Sequence, residues 1–99
     1  MDEIAISKYI GLAIRAGAVI YGLDNIKKNL KNIHLIIYCY TASNNLEKSL
    51  LHLKDNSSVE VIKLQQNSLD NLIHTTNCKA IGITNMHLAE QIRLLNKEC

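Results

Sequence analysis

The chain has no proline, phenylalanine or tryptophan, only four glycines, and three cysteines that share no short spacing. Each scarcity removes a class of explanation. Cys39, Cys78 and Cys99 form neither a CxxC pair nor a Cys/His array, so no metal centre is expected. Cys39 and Cys78 lie in apolar runs and read as small buried hydrophobes, while terminal Cys99 carries no information. No apolar stretch approaches the roughly 18 residues of a membrane span. The opening MDEIAISKYIGL is acidic and then amphipathic, unlike a signal peptide, so the expected compartment is the cytoplasm. There is no Walker loop, no GxGxxG and no nucleophile-elbow glycine pattern around any serine. His34, His52, His74 and His87 fall in different elements. The expectation is a protein that is not an enzyme and uses no cofactor.

What is present is ordinary for a globular chain. Ninety-nine residues with 47% apolar and 20% charged side chains make one domain, 1–99, with a single core. The net charge of +2 announces no partner by itself, but its distribution is uneven. Between Arg15 and Asn32, the cations Arg15, Lys27, Lys28 and Lys31 face only Asp24, so this window holds more than the whole net charge.

The hydrophobic pattern alternates between the helical and extended periods. Ile4, Ile6, Tyr9, Ile10, Leu12, Ala13 and Ile14 predict a helix over 2–16, ended by Gly17. Ala18–Tyr21 predicts a short strand, and Gly22 opens a second helix running to about Lys31. The near-continuous run Ile33–Tyr40 predicts a strand covered on both faces. Ser43 or Asn44 caps a third helix, DNSS (Asp55–Ser58) turns, and Val59–Leu64 predicts a strand. A short helix near Ser68–His74, a strand over Cys78–Thr84 and a last helix capped by Asn85 complete the chain. The expected fold is α/β: a three-layer α/β/α sandwich around a four-stranded mixed sheet. The missing proline is unusual but compatible with it.

Four stretches in this order carry a resemblance. They are IGLAIRAGAVIYG, GLDNIKKNL, LIIYCYTASNNLEKSL and CKAIGITNMHLAEQI. Together they resemble the kink-turn RNA-binding ribosomal-protein superfamily (large-subunit proteins seven-Ae and thirty-e), above all its short bacterial ribosomal-protein-like members. The likeness spans almost the whole chain, and Lys28 falls on the lysine that the family places six residues after the glycine. It implies the α/β/α fold and a partner: structured RNA with a kink-turn or similar bent internal loop, ribosomal or otherwise, held in a ribonucleoprotein.

The implied site comprises Gly22, Asp24, Asn25, Lys27, Lys28, Lys31, Thr41, Thr76 and Asn77. The residue types suit RNA. Gly22 lets an RNA backbone approach the main chain, and the first N–H groups of a helix donate to phosphate oxygens. Asn25 offers a base edge one donor and one acceptor, and the three lysines supply cations for phosphates. The same residues have a plainer reading, in which Asp24 or Asn25 only caps the helix and Lys27 and Lys31 form a solvated face.

Several positions depart from the family pattern. Asp24-Asn25 replaces Asn-Glu or Lys-Gln, and Thr41 stands where an acid is common. The loop His74–Cys78 is polar where the family's is often apolar, and Asp70 replaces a glycine. Only four tyrosines are available for stacking, and Tyr40 is expected to be a half-buried packing residue. A second reading is a ribosome- or translation-associated protein-interaction module on the same fold, with weak or lost RNA binding.

Overall fold

A computed structural model describes residues 3–65 and 79–97. In chain order the elements are α1 (Glu3–Arg15), β1 (Val19–Tyr21), α2 (Leu23–Lys28), a 3-10 turn (Leu30–Asn32), β2 (Leu35–Cys39) and α3 (Asn44–Ser57). They continue with β3 (Glu60–Leu64), β4 (Ala80–Ile83) and α4 (Met86–Lys97). The four strands form one mixed sheet in the order β1-β4-β2-β3. β4 runs antiparallel to both β1 and β2, and β3 is parallel to β2. The parallel pair is joined through α3, as parallel strands need a crossover.

In place of the single core expected, the alternation of strand side chains divides the buried residues into two cores, one on each face of the sheet. Leu35, Ile37, Cys39, Ile62, Leu64, Ile81 and Ile83 pack against Ile6, Ile10 and Ala13 of α1 and Ala89 and Ile92 of α4. Ile36, Tyr38 and Ala80 point to the other face, toward Ile26 of α2 and Leu50 of α3. The architecture is therefore the expected α/β/α sandwich. β2 sits between β4 and β3 with every residue buried, which is why its sequence shows no alternation. Gly82 in β4 serves packing: a Cβ there would come within 2.7 Å of Ile33 Cδ1.

The ends of the elements follow their local chemistry. Gly17 (φ 69°) closes α1 in a left-handed turn, with Ala18 N–H donating to Ala13 O (2.8 Å) and Gly17 N–H to Ile14 O (3.1 Å). Ser43 Oγ accepts from Leu46 N–H (3.1 Å) and Asn85 Oδ1 from Leu88 N–H (3.0 Å), so α3 and α4 begin at the expected caps.

Two boundaries differ from expectation. α2 stops at Lys28, because Asn29 leaves the helix (φ −117°, ψ 20°) and its Nδ2 donates back to Asn25 O (2.9 Å). Lys31 therefore belongs to the 3-10 turn, and its i,i+4 relation to Lys27 is broken. In contrast, α3 runs through most of DNSS and ends only at Ser58, which takes the left-handed conformation (φ 63°) usually given to glycine. The short helix expected near Ser68–His74 lies outside the described residues.

Candidate nucleic-acid interface

Topology gathers four of the nine implied residues, Gly22, Asp24, Asn25 and Thr41, at one edge. β1 and β2 point the same way because both oppose β4, and β3 follows β2. The C-terminal ends of these three strands therefore meet beside the start of β4. Gly22 N–H donates to Ala80 O and Cys39 N–H donates to Lys79 O, both at 3.1 Å, which joins the ends of β1 and β2 to that start. Gly22–Asn25 and Thr41 share this edge. The described chain leaves it at Gln65 and returns to it at Lys79; Thr76 and Asn77 lie outside the described residues. Glu3 Oε2 accepts from Gln65 N–H (2.6 Å), tying the first turn of α1 to the end of β3. Nothing in the sequence spacing signals that contact, since the partners stand 62 residues apart.

Gly22 is the hinge of the edge. Its backbone (φ 85°, ψ 154°) lies in a region that essentially only glycine occupies. Among the described residues, its chain neighbours aside, no atom lies within 4 Å of the place where a Cβ would stand, so the glycine is required by conformation rather than by crowding. α2 begins there with no side-chain cap. Neither Asp24 nor Asn25 makes a capping hydrogen bond, although Asp24 stands in the first turn where the helix dipole favours an acid, as the plainer reading has it. Asn25 instead donates its Nδ2 to Tyr21 O (3.0 Å), which fixes the exposed amide at the edge and leaves Oδ1 and one N–H available. Asp24 is also exposed. Gly22 N–H is spent on β4, whereas the N–H groups of Leu23, Asp24 and Asn25 have no protein acceptor among the described residues.

The lysines do not share one face. Ile26 is buried and Leu23 and Leu30 are half-buried, which sets the inner side of α2. Lys28 then points outward, while Lys27 and Asn25 flank the buried stripe on opposite sides, about 160° apart on an ideal helix. Lys27 turns toward α3, where it lines a groove with Lys48, Ser49, His52 and Leu53. Among the described residues none of Lys27, Lys28 and Lys31 forms an ion pair.

At the end of β2, exposed Thr41 sets its Oγ1 2.9 Å from Sγ of Cys39, which is fully buried as expected. Tyr40, expected to be a half-buried packing residue, is 50% exposed just beyond the end of β2. Tyr21, 37% exposed next to Gly22, is a second ring at the edge that sequence reading passed over. Tyr38 is engaged inside the fold. Its buried hydroxyl donates to Glu47 Oε2 (2.7 Å), and Lys63 Nζ lies 3.2 Å from the same oxygen. Burial first, then the hydrogen bond to Glu47 and its negative charge, push the Tyr38 hydroxyl up to about 12. The hydrogen bonds from Tyr38 and Lys63 hold the Glu47 carboxyl below its ordinary range.

His34 in the bend before β2, His52 on α3 and His87 on α4 are exposed and far apart in the chain, and His74 lies outside the described residues. No group of three His, Cys, Asp or Glu side chains that could hold a metal ion occurs among the described residues. No helix of the described residues is long and apolar enough to cross a membrane.

No protein-family model and no curated protein matches the chain. Among solved structures it is similar to a protein of unknown function from Bacillus halodurans C, with a TM-score of 0.85 and 21% identity over 94% of this chain and 97% of the other. At that identity the likeness shows the fold: two chains with different side chains share one α/β/α frame.

Proposed function

We propose that the chain is a non-catalytic cytoplasmic RNA-binding protein that recognises a kink-turn or similar bent internal loop in ribosomal or other structured RNA. The observation that carries this reading is the uncapped turn at Gly22. Its glycine-only backbone leaves the main chain approachable at the sheet edge beside the fixed amide of Asn25, with Lys28 outward and Thr41 beyond the end of β2, one strand away across β4. A base splayed from a bent loop needs such a place: donors and an acceptor for its edge, cations for the phosphates, and no Cβ in the way. Tyr21 and Tyr40 add exposed rings at that edge, although strand alternation directs them to opposite faces. The resemblance of the four sequence stretches to the kink-turn superfamily supports the same assignment.

The test is a titration of labelled kink-turn RNA and of a straight duplex, each at two salt concentrations. Submicromolar binding that prefers the bent RNA is expected, with Lys28→Ala reducing affinity by about tenfold and flattening the salt dependence by about one unit. Equal weak binding to both RNAs, unchanged by the substitution, would sink the reading.

One observation favours the protein-interaction module instead. Ile4 (73% exposed) and Leu12 on α1, with Met86 (64% exposed) and Leu94 on α4, leave apolar side chains on the outside of the opposite layer. If sedimentation showed self-association lost in Ile4→Ser while bent RNA went unbound, this second reading would replace the first.

A further inference from the structure

The groove between α2 and α3 contains four side chains absent from the implied site, and three of them, Lys48, Ser49 and His52, are donors. It has a volume of about 310 Å3 and is lined by Lys27 from α2 and by Lys48, Ser49, His52 and Leu53 from α3. That is at the small end of the roughly 300–1,000 Å3 typical of ligand sites. We infer that this groove binds a phosphate group, and that in the RNA complex it is filled by a backbone phosphodiester leading away from the Gly22 edge. The choice of RNA as the source of that phosphate rests on the RNA-binding reading above.

The charge arrangement comes first. Lys27 and Lys48 face one groove, and among the described residues neither has a carboxylate partner. Glu47, the acid next to Lys48, is engaged elsewhere by Tyr38 and Lys63. Two ammonium groups in one groove repel each other, so an anion placed between them removes a cost as well as gaining contacts.

Ser49 supplies the second argument. A helical serine commonly turns its hydroxyl back onto the carbonyl four residues earlier. Ser7 does so to Glu3 O (2.7 Å) and Ser57 to Leu53 O (2.6 Å). Half-buried Ser49 makes no such bond and has no other partner among the described residues, so its hydroxyl remains for a ligand.

His52 is oriented in a compatible way. Asn56 Nδ2 lies 2.9 Å from His52 Nε2, and when that amide donates, the ring's proton sits on Nδ1 as a further donor. Leu53 gives the groove its apolar part. Lys27 and Lys48 are each the fifth residue of their helix, and both helices start from the edge that carries Gly22 and Thr41. The groove thus begins about 6 Å behind that edge, within reach of a strand already seated there.

The experiment measures kink-turn RNA affinity and its salt dependence for the full chain and for Lys48→Ala, Ser49→Ala and Lys54→Ala. In parallel, inorganic phosphate is titrated against the backbone amide NMR signals. A backbone contact predicts that Lys48→Ala weakens RNA binding about three- to tenfold and lowers the salt slope by somewhat less than one unit. Ser49→Ala, which removes a donor but no charge, weakens binding by a similar or smaller factor with the slope unchanged. Lys54→Ala, outside the groove, controls for a general loss of charge and changes neither. If the wild type binds bent RNA while Lys48→Ala has the same affinity and slope, the backbone contact is overturned and the RNA reading survives. If the wild type binds no RNA, that reading fails separately, and the phosphate arm decides the groove. Shifts at Lys48, Ser49 and His52 that vanish in Lys48→Ala then assign it to a free phosphate ester. An unperturbed spectrum overturns the phosphate site altogether.

Discussion

α2 and α3 lie side by side on one face of the sheet and start from the same edge, yet they are secured by opposite means. α3 has a serine cap, and its Glu47 is bonded to Tyr38 of β2 and Lys63 of β3. α2 has no side-chain cap and is held on the sheet by Ile26, Leu23 and Leu30. An N-cap is worth about 1 kcal/mol, and the chain places one at both α3 and α4. Its omission at α2, where a glycine-only backbone also leaves three N–H groups without acceptors among the described residues, marks a place where local stability is given up. That kind of exception is what a binding edge produces.

The largest break in this comparison comes from Gly22→Ala. At φ 85° and ψ 154° an alanine is strained by about 1–3 kcal/mol, so the start of α2 shifts or the whole fold loses that amount. RNA affinity is expected to fall by more than about tenfold, because the approachable main chain and the Asn25 amide move together, a loss of at least ~1.4 kcal/mol of binding. Denaturant unfolding measures the first effect and the RNA titration the second. A variant that loses stability but keeps full affinity for bent RNA would show that the turn is architecture only.

Asn85→Ala sharpens the contrast from the other side. Asn85 caps α4 beyond the end of β4, at the edge opposite Gly22. Its removal is expected to cost about 1 kcal/mol in unfolding free energy while RNA affinity stays unchanged. An RNA-affinity loss comparable to that of Gly22→Ala would mean that binding follows global stability rather than this edge.

The same contrast explains what was legible in the sequence. Caps and cores follow from local rules: Ser43, Asn85, Gly17 and the unbroken run of β2 each fall where residue chemistry predicts. The layers follow from alternation alone. Element ends are less determined, because neighbouring side chains offer competing bonds. Asn29 ends α2 early by bonding its own helix, and Ser58 takes a left-handed conformation at the end of a longer α3. Other features depend on contacts between distant segments. The groove is out of reach because Lys27 and Lys48 belong to helices whose relative placement is set by the sheet. Likewise, Glu47 reads as a surface acid until β2 and β3 bring Tyr38 and Lys63 to it. Of the implied site, Gly22 and Asn25 meet at the edge, whereas helical rotation separates Lys27 from Lys28 and the early end of α2 leaves Lys31 in the following turn.

The smallest effect tests the polar anchoring of α3. Tyr38→Phe removes the hydroxyl that donates to Glu47, and because that carboxylate is partly in water the expected loss at neutral pH is smaller than that of the Asn85 cap. The pH dependence identifies the cause. The Tyr38 hydroxyl is raised to about 12 in the folded protein against 10.0 ordinarily, so its contribution is complete below pH 10 and disappears as pH rises through about 12. The Glu47 carboxyl is lowered, so its contribution is present above the ordinary carboxylate range and disappears as pH falls through the depressed value. The stability gap between wild type and Tyr38→Phe should therefore be widest between these limits and narrow toward both acid and alkali. A gap that stays constant across pH would assign the loss to packing in the β2 core, and α3 would then be held as α2 is, by apolar contact alone.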